Sequence, residues 1–361
     1  MKKRRLCEIC NPKQWKTISS DMLKSEGYPV YGANGVIGYF SEYNHEKATL
    51  LITCRGATCG MLNICEPFSY VNGNAMALDN LSPEIDLHYL YYYLMTRGLS
   101  DAITGSAQPQ IVRQSLQKVE ISYPSFDEQR RIAAVLDKVS DMIAKRREQL
   151  DKLDELVKAR FVEMFGNCNY PRQPLISLIK EGTGLSYGIV QPGDDGTGDL
   201  GVIRPVDMVD GNISIDSIKH IDRAIGDSFK KTELTGDELL ITVRGTTGIT
   251  ALTDVRFKGM NVTRGIAVIR YNRSKINPAY LNAYLNTAES QNYIQEHTRG
   301  ATLQQINLSD LRIQEILLPP MYLQEHFSDY ATLINKSKLT IQQSLDKMET
   351  LKKALMQEYF G

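Results

Sequence analysis

The chain repeats itself, and no other feature narrows its possible folds as much. Residues 105–166 align without a gap onto residues 300–361 at one constant offset. Gly105 falls on Gly300, Gln110 on Gln305, Ile111 on Ile306, Leu116 on Leu311, Ile121 on Ile316, Pro124 on Pro319 and Gln129 on Gln324. The match continues through Leu150-Asp151-Lys152 on Leu345-Asp346-Lys347 and ends with Phe165-Gly166 on Phe360-Gly361. A duplicated segment must bury the same face twice, so two copies of one plan are expected, with Gly166 as the module boundary. Upstream the correspondence is looser. Leu50-Leu51-Ile52-Thr53-Cys54-Arg55-Gly56 mirrors Leu239-Leu240-Ile241-Thr242-Val243-Arg244-Gly245, with Thr58 on Thr247 and Asn72 on Asn261 at the same offset. Tyr89-Leu90 likewise mirrors Tyr280-Leu281. Between these anchors the halves diverge, and YGANGVIGYF in the first has no evident twin in YGIVQPGDDGTGDLGVIRPVD of the second.

Within the common segment the pattern turns helical after Pro124 and Pro319. Leu136, Val139, Ile143, Leu150, Leu153, Val157 and Met164 step by threes and fours, as do Ile334, Ile341, Leu345, Met348, Leu355 and Tyr359. This is a heptad seam, interrupted by Arg146 and Arg160 in one copy and by Lys338 and Lys352 in the other. Neither stretch has an internal Gly or Pro, so each is expected to form a rod of roughly 60 Å at 1.5 Å per residue. Two such helices from one duplication are expected to pair antiparallel, about a pseudo-twofold axis, and to act as a ruler between two globular parts. The expected limits are 1–123 and 167–319 for the globes, and 124–166 and 320–361 for the helices.

The globes read as α+β. LLITCRGATCG and LLITVRGTTG are each an apolar strand running into a Gly-bracketed loop, and LHYLYYYLM and AYLNAYLNT are short helices. The 42 Lys and Arg balance the 42 Asp and Glu, for a formal net charge of +0, which speaks against a nucleic-acid binder built on one broad basic surface. Local charge says more. No acid occurs from Val255 to Ala288, where Arg256, Lys258, Arg264, Arg270, Arg273 and Lys275 fall, and none from Ala102 to Val119, around Arg113 and Lys118. Arg, Asn and Gln are the side chains that make two-point contacts with guanine and adenine edges. Flexible loops rich in them suit entry into a DNA groove.

Enzyme motifs are missing from the sequence. No P-loop, HExxH or GxSxG is present, and Gly196-Thr197-Gly198-Asp199-Leu200-Gly201 spells GxGxxG without a helix to follow it. The adenine methyltransferase motif is absent too; Leu318-Pro319-Pro320-Met321 does not supply it. Cys7-x-x-Cys10, with Cys54, Cys59 and Cys65, fits no standard zinc spacing and reads as incidental reduced thiols, so no metal is expected. The basic start MKKRRLCEIC has no apolar stretch behind it, and a cytoplasmic, non-membrane protein is expected.

The run Pro124-Ser-Phe-Asp-Glu-Gln-Arg-Arg-Ile-Ala-Ala-Val-Leu-Asp137 resembles the PPLxEQxxIAxxLD signature of the specificity subunits of type I restriction-modification systems. GSAQPQIVRQSLQKVEI before it resembles the segment joining a target-recognition domain to its spacer helix in that family, and YPVYGANGVIGYF and YGIVQPG look like openings of such domains. The second copy departs at Leu323, which replaces the Glu of Glu-Gln. The resemblance spans essentially the whole chain. It implies two target-recognition domains in tandem, each followed by a long helix, reading the two halves of a bipartite double-stranded DNA site. It also implies helices that dock two methyltransferase subunits, which use S-adenosylmethionine; where a restriction subunit joins, it would bring ATP and Mg. The chain itself would be non-catalytic and hold no cofactor.

Candidate DNA-binding residues follow from loop chemistry and repeat correspondence. They are Tyr31, Asn34, Arg55, Thr58, Asn72, Gln108, Gln110 and Arg113 in the first half. In the second they are Arg244, Thr246, Thr247, Asn261, Arg264, Arg299, Gln304 and Gln305. Helix pairing and docking are assigned to Leu136, Val139, Ile143, Leu150, Leu153, Ile334, Ile341, Leu345, Met348 and Leu355. Two rival readings come from other classes: a stand-alone thiol or zinc enzyme around Cys7, Cys10, Cys54 and Cys59, and a coiled-coil adaptor without DNA contact.

Overall fold

A computed structural model describes residues 1–361 except 106, 107, 167, 192, 194, 195, 197, 210 and 302. By its contacts the chain divides into two units, Met1–Gln149 with Ile341–Gly361, and Leu150–Thr340. Both long helices are continuous, Phe126–Phe165 and Met321–Phe360, 40 residues each, and each contributes to both units.

In the first unit the strand Thr49–Thr53 is the centre of the main sheet. It pairs antiparallel with Leu62–Cys65 and Ala75–Asp79, and the latter pairs with Asn11–Gln14. Leu50, Leu51 and Ile52 are buried, as expected of a short apolar run that packs on both faces. A second sheet sets Tyr28–Gly32 antiparallel to Gly35–Phe40 and parallel to Tyr70–Val71. Its hairpin turns at Ala33-Asn34, with Gly35 at φ 102°, the left-handed backbone that such a tight turn demands of its glycine. Lys2–Arg5 pairs with Glu120–Tyr123 just before the long helix starts.

The second unit repeats these pairings. Leu239–Thr242 lies between Thr250–Leu252 and Ile266–Ile269, and Leu200–Ile203 runs antiparallel to Lys219–Ile221 and parallel to Asn261–Val262. Arg172–Pro174 pairs with Glu315–Leu317. The strand pairings therefore supply the twin of Tyr28–Gly32 that the sequence hid: it is Leu200–Ile203, inside the divergent stretch. They also correct the pairing of Asn72 with Asn261. The N–H of Asn72 donates to the Tyr31 carbonyl at 2.9 Å, and the N–H of Thr263 donates to the Ile203 carbonyl at 2.9 Å. Asn72 is thus the counterpart of Thr263, and Asn74 that of Gly265.

The helix starts are tied down in the same way twice. Asp86 caps the helix Leu87–Arg97 by accepting from the Tyr89 N–H, and Asn277 caps Pro278–Leu285 by accepting from Ala279 and Tyr280. The buried Gln129 amide accepts from the Asp86 N–H at 2.9 Å and donates to the carbonyls of Glu84 and Pro124. Gln324, also buried, accepts from the Asn277 N–H at 2.9 Å and donates to the Pro319 carbonyl. Tyr89 and Tyr280 donate their hydroxyls to the carbonyls of Ser122 and Leu317.

Inside each unit the start of one long helix meets the end of the other. In the first, Arg147 pairs with Glu349 at 2.6 Å, Lys352 lies over the Tyr92 ring, and Phe360 packs edge-on against Tyr89 and Tyr93. In the second, Lys338 pairs with Asp154 at 2.6 Å, Arg160 lies over Tyr330, and Phe161 and Phe165 pack against Phe327 and Tyr280. As residue numbers fall on one helix they rise on the other, so the segments within each unit run antiparallel. Leu136, Val139, Ile143 and Leu345 are buried, while Leu150, Leu153, Ile334, Ile341, Met348 and Leu355 are half-buried.

Candidate nucleic-acid interface

Each unit carries the same two-loop ledge, built by backbone. In the first, a hairpin closes with reciprocal bonds between Thr104 and Gln110, both 2.8 Å, and its returning arm crosses to the Arg55 loop. There the Gly56 N–H donates to the Pro109 carbonyl and the Ile111 N–H to the Cys54 carbonyl at 2.9 Å. In the second, Arg299 and Gln305 exchange two bonds of 2.8 Å, the Gly245 N–H donates to the Gln304 carbonyl at 2.9 Å, and Ile306 donates to Val243 at 3.0 Å. The matched glycines explain themselves. Gly105 and Gly300 have positive φ, and a Cβ on either would collide with the carbonyl oxygen of Gln108 or Leu303.

Strand ends anchor this ledge, and it presents polar side chains to solvent. Arg55, Gln108, Gln110 and Arg113 are exposed in the first unit, and Thr246, Arg264, Arg299 and Gln304 in the second; Arg244 and Gln305 are half-buried. The exposed Asn34, at the hairpin tip, accepts from the Thr58 hydroxyl at 2.7 Å, which draws that tip to the Arg55 loop. Arg299 has a distant carboxylate, Asp310 at 3.9 Å. An exposed guanidinium whose loop is fixed by backbone bonds is suited to a phosphate or a guanine edge.

Four expected readers fall inside the fold instead. Tyr31 is 7% exposed, and its hydroxyl accepts the Glu66 N–H. Asn72 bonds the backbone of Ile18 and Gly73. Asn261 accepts from the Thr232 hydroxyl and the Val262 N–H and donates to the Phe229 carbonyl. Thr247 is buried against the Thr298 hydroxyl at 3.0 Å. Their hydrogen-bonding groups are spent on holding loops together, as buried polar groups require.

The acid-free stretch is corrected as well. Arg256 pairs with Asp254 at 2.6 Å, Arg273 with Asp237, Arg270 caps the carbonyls of Lys231 and Glu233 beside Glu238, and Lys275 donates to the Ser177 carbonyl. Acids distant in sequence or just outside the window pair with Arg256, Arg270 and Arg273, while Lys258 and Arg264 are exposed, Arg264 on the ledge. Asn74 is exposed at the position matching Gly265, a correspondence that the sequence conceals because two extra residues in the second copy shift the register.

Cys10, Cys54 and Cys65 are buried, and Cys7 and Cys59 are half-buried against the core that holds Cys10 and Cys54. Burial pushes the Cys10 thiol up to about 12 and Cys54 up to about 11, away from the thiolate that metal binding or nucleophilic attack needs. Among the described residues no group of three His, Cys, Asp or Glu is placed to hold a metal ion, and no helix is long and apolar enough to cross a membrane.

Comparison with known proteins gives a consistent result. A curated relative, the EcoprrI specificity subunit of Escherichia coli, is 32% identical over 142 residues, which are 38% of this chain and 35% of that subunit. The EcoBI specificity subunit of Escherichia coli is 21% identical over 374 aligned positions, 93% of this chain and 74% of that subunit. The chain thus spans about a third of the first relative and about three quarters of the second. The crystal structure of a type I restriction-modification S subunit from M. genitalium superposes with a TM-score of 0.67 at 15% identity, covering 100% of this chain and 96% of that one. It shares the fold. Residues 1–155 and 197–357 both match the family described as type I restriction modification DNA specificity domain, and the chain belongs to that family.

Proposed function

We propose that the chain is a non-catalytic DNA sequence-recognition subunit, each unit of which reads one half of a bipartite double-stranded target. The observation that carries this reading is the ledge made twice from matching backbone bonds, with Arg55 and Arg244 at matching places. The proposed contacts are Asn34, Arg55, Thr58, Gln108, Gln110 and Arg113 in one half. In the other they are Arg244, Thr246, Arg264, Arg299, Gln304 and Gln305. Lys and Arg set each unit on the phosphates, and a few side chains read base edges. Neutral net charge is compatible with this, because the affinity is shared with partner subunits.

The recognition domains are proposed at 1–123 and 167–319, with spacer helices at 124–166 and 320–361. The paired helices fix the unread spacer and dock two adenine methyltransferase subunits in the cytoplasm. S-adenosylmethionine, and ATP with Mg where a restriction subunit joins, belong to those partners.

Co-expression with the cognate methyltransferase subunit, followed by mapping of methylated adenines, tests the reading. A two-part consensus with a gap of constant length is expected; scattered methylation or a single uninterrupted motif refutes it. Arg55→Ala and Arg244→Ala are expected to weaken selection in opposite halves of that consensus.

A further inference from the structure

Three residues past the matched strand positions Tyr31 and Ile203 stand two side chains of opposite character. Tyr31 pairs with Val71 as Ile203 pairs with Val262, so counting outward from Tyr31 reaches Asn34 and from Ile203 reaches Val206. The loops then diverge: Tyr31 pairs with Val36 in a tight hairpin, whereas after Ile203 the second copy carries an additional strand pair, Met208–Val209 with Asn212–Ile213. Asn34 is on the ledge of the first unit, bonded to Thr58. Val206 is an apolar side chain and is 71% exposed.

Its backbone is braced on both sides. Asp207 is fully buried and accepts from the Arg204 N–H at 2.8 Å, the Arg204 guanidinium at 2.9 Å and the Ser217 hydroxyl at 2.9 Å. Pro205 packs on Gly265, where an added Cβ would come within 2.6 Å of the proline Cγ and 3.8 Å of the Arg244 carbonyl oxygen. Pro205 therefore stands against Gly265 near the Arg244 carbonyl, and Val206 follows it on this braced backbone with its side chain in water.

We infer that Val206 is a specificity-determining residue of the second unit, reading the 5-methyl group of a thymine in the half-site that unit binds. This rests on the DNA-recognition reading above. The thymine methyl is the apolar feature of the major-groove edge, and a rigid aliphatic side chain is complementary to it. The matching place in the first unit holds an amide, Asn34, so the two halves read different chemistry at the same point of the ledge.

The test uses the full-length chain in its isolated native complex. Preferred duplexes are selected from a randomised pool, and each thymine of the selected site is then replaced singly by uracil, which removes the methyl alone. One replacement is expected to weaken wild-type binding about fourfold, the effect of one lost apolar contact. Val206→Ala is expected to bind the thymine and uracil duplexes equally while keeping the rest of the consensus. Val255→Ala is the control: Val255 is 77% exposed and follows the strand residue Leu252, which pairs with Leu239 at the opposite end of Leu239–Thr242 from Arg244. It is expected to keep the thymine preference. Equal wild-type binding at every uracil position, or a preference that persists in Val206→Ala, overturns the inference. A Val206→Ala complex that loses a protein subunit and keeps the preference assigns the residue to a partner instead. Failure to select any duplex refutes the DNA-recognition reading itself.

Discussion

Gln129 and Gln324 each connect a long helix to the cap of a shorter one, and removing either leaves buried backbone groups without partners. Gln129→Ala and Gln324→Ala are each expected to cost about 1–3 kcal/mol in denaturant unfolding. Glu128→Ala, which removes only an exposed pair with Arg131, is expected to fall within experimental scatter. This contrast accounts for Leu323: the signature glutamine does its work on the globular part, while the residue before it is half-buried in both copies, pairing with Arg131 as Glu128 and packing against the apolar core as Leu323. Glu238 supplies a second test. Burial pushes its carboxyl up, but donors from the backbone of Thr235 and Asp237 and the hydroxyls of Thr235 and Thr253 outweigh it and hold the group below the usual glutamate range. A lowered folded value means stability that is complete above the unfolded value, roughly pH 4.3, and lost as pH falls through the folded one. Glu238→Gln is expected to cost about 1–3 kcal/mol at neutral pH, with the gap from wild type narrowing below roughly pH 4.3. A constant gap across the pH series would refute the assignment. At this scale the sequence was a partial guide. Exposed ledge residues such as Arg55 and Gln110 were legible from repeat correspondence, but Tyr31, Asn72, Thr247 and Asn261 were not, because the same amide or hydroxyl that could read a base can close a loop.

Elements show why some parts were easier to read than others. The long helices were legible because a heptad pattern is local and uninterrupted by Gly or Pro, and the strands Thr49–Thr53 and Leu239–Thr242 because they are short apolar runs. The match of Tyr28–Gly32 with Leu200–Ile203 was hidden because it resides in strand pairing, which constrains backbone and leaves side chains free. Charged residues on the seam carry a consequence at this scale. Lys352 is half-buried over Tyr92, and burial first, then Arg147, pushes its ammonium down. Lys352→Leu is expected to raise the unfolding free energy by roughly 1 kcal/mol by exchanging a desolvated charge for apolar contact. Lys338→Leu, which loses an ion pair to Asp154, is expected to change it by less. A polar seam residue commonly fixes register at a cost in stability, so the double variant is expected to be more stable yet to form mixed helix registers. Cross-linking of cysteine pairs placed at Arg147 and Glu349 would detect them, and a single product at the native pairing would exclude that role.

The proposed ruler makes a prediction for the molecule as a whole, and its sign comes from geometry. A helix advances 1.5 Å per residue, so seven residues add about 10.5 Å while keeping the seam nearly in phase. Inserting one heptad after Gln149 and another after Thr340 lengthens both helices together and preserves their antiparallel register. DNA advances about 3.4 Å per base pair, so the preferred spacer is expected to grow by about three base pairs. Those base pairs also turn the second half-site by a little over a quarter of the helical repeat of about 10.5. The lengthened protein is therefore expected to bind its new site more weakly than the wild type binds its own. A heptad in one helix alone misaligns every pair beyond it, including either Arg147 with Glu349 or Lys338 with Asp154. That variant is expected to lose assembly with its partners and to methylate nothing. Methylation mapping in cells carrying each variant separates the cases. An unchanged spacer in the doubly lengthened protein would mean that the helices do not set the distance, and that the globular parts reach their half-sites by some other connection.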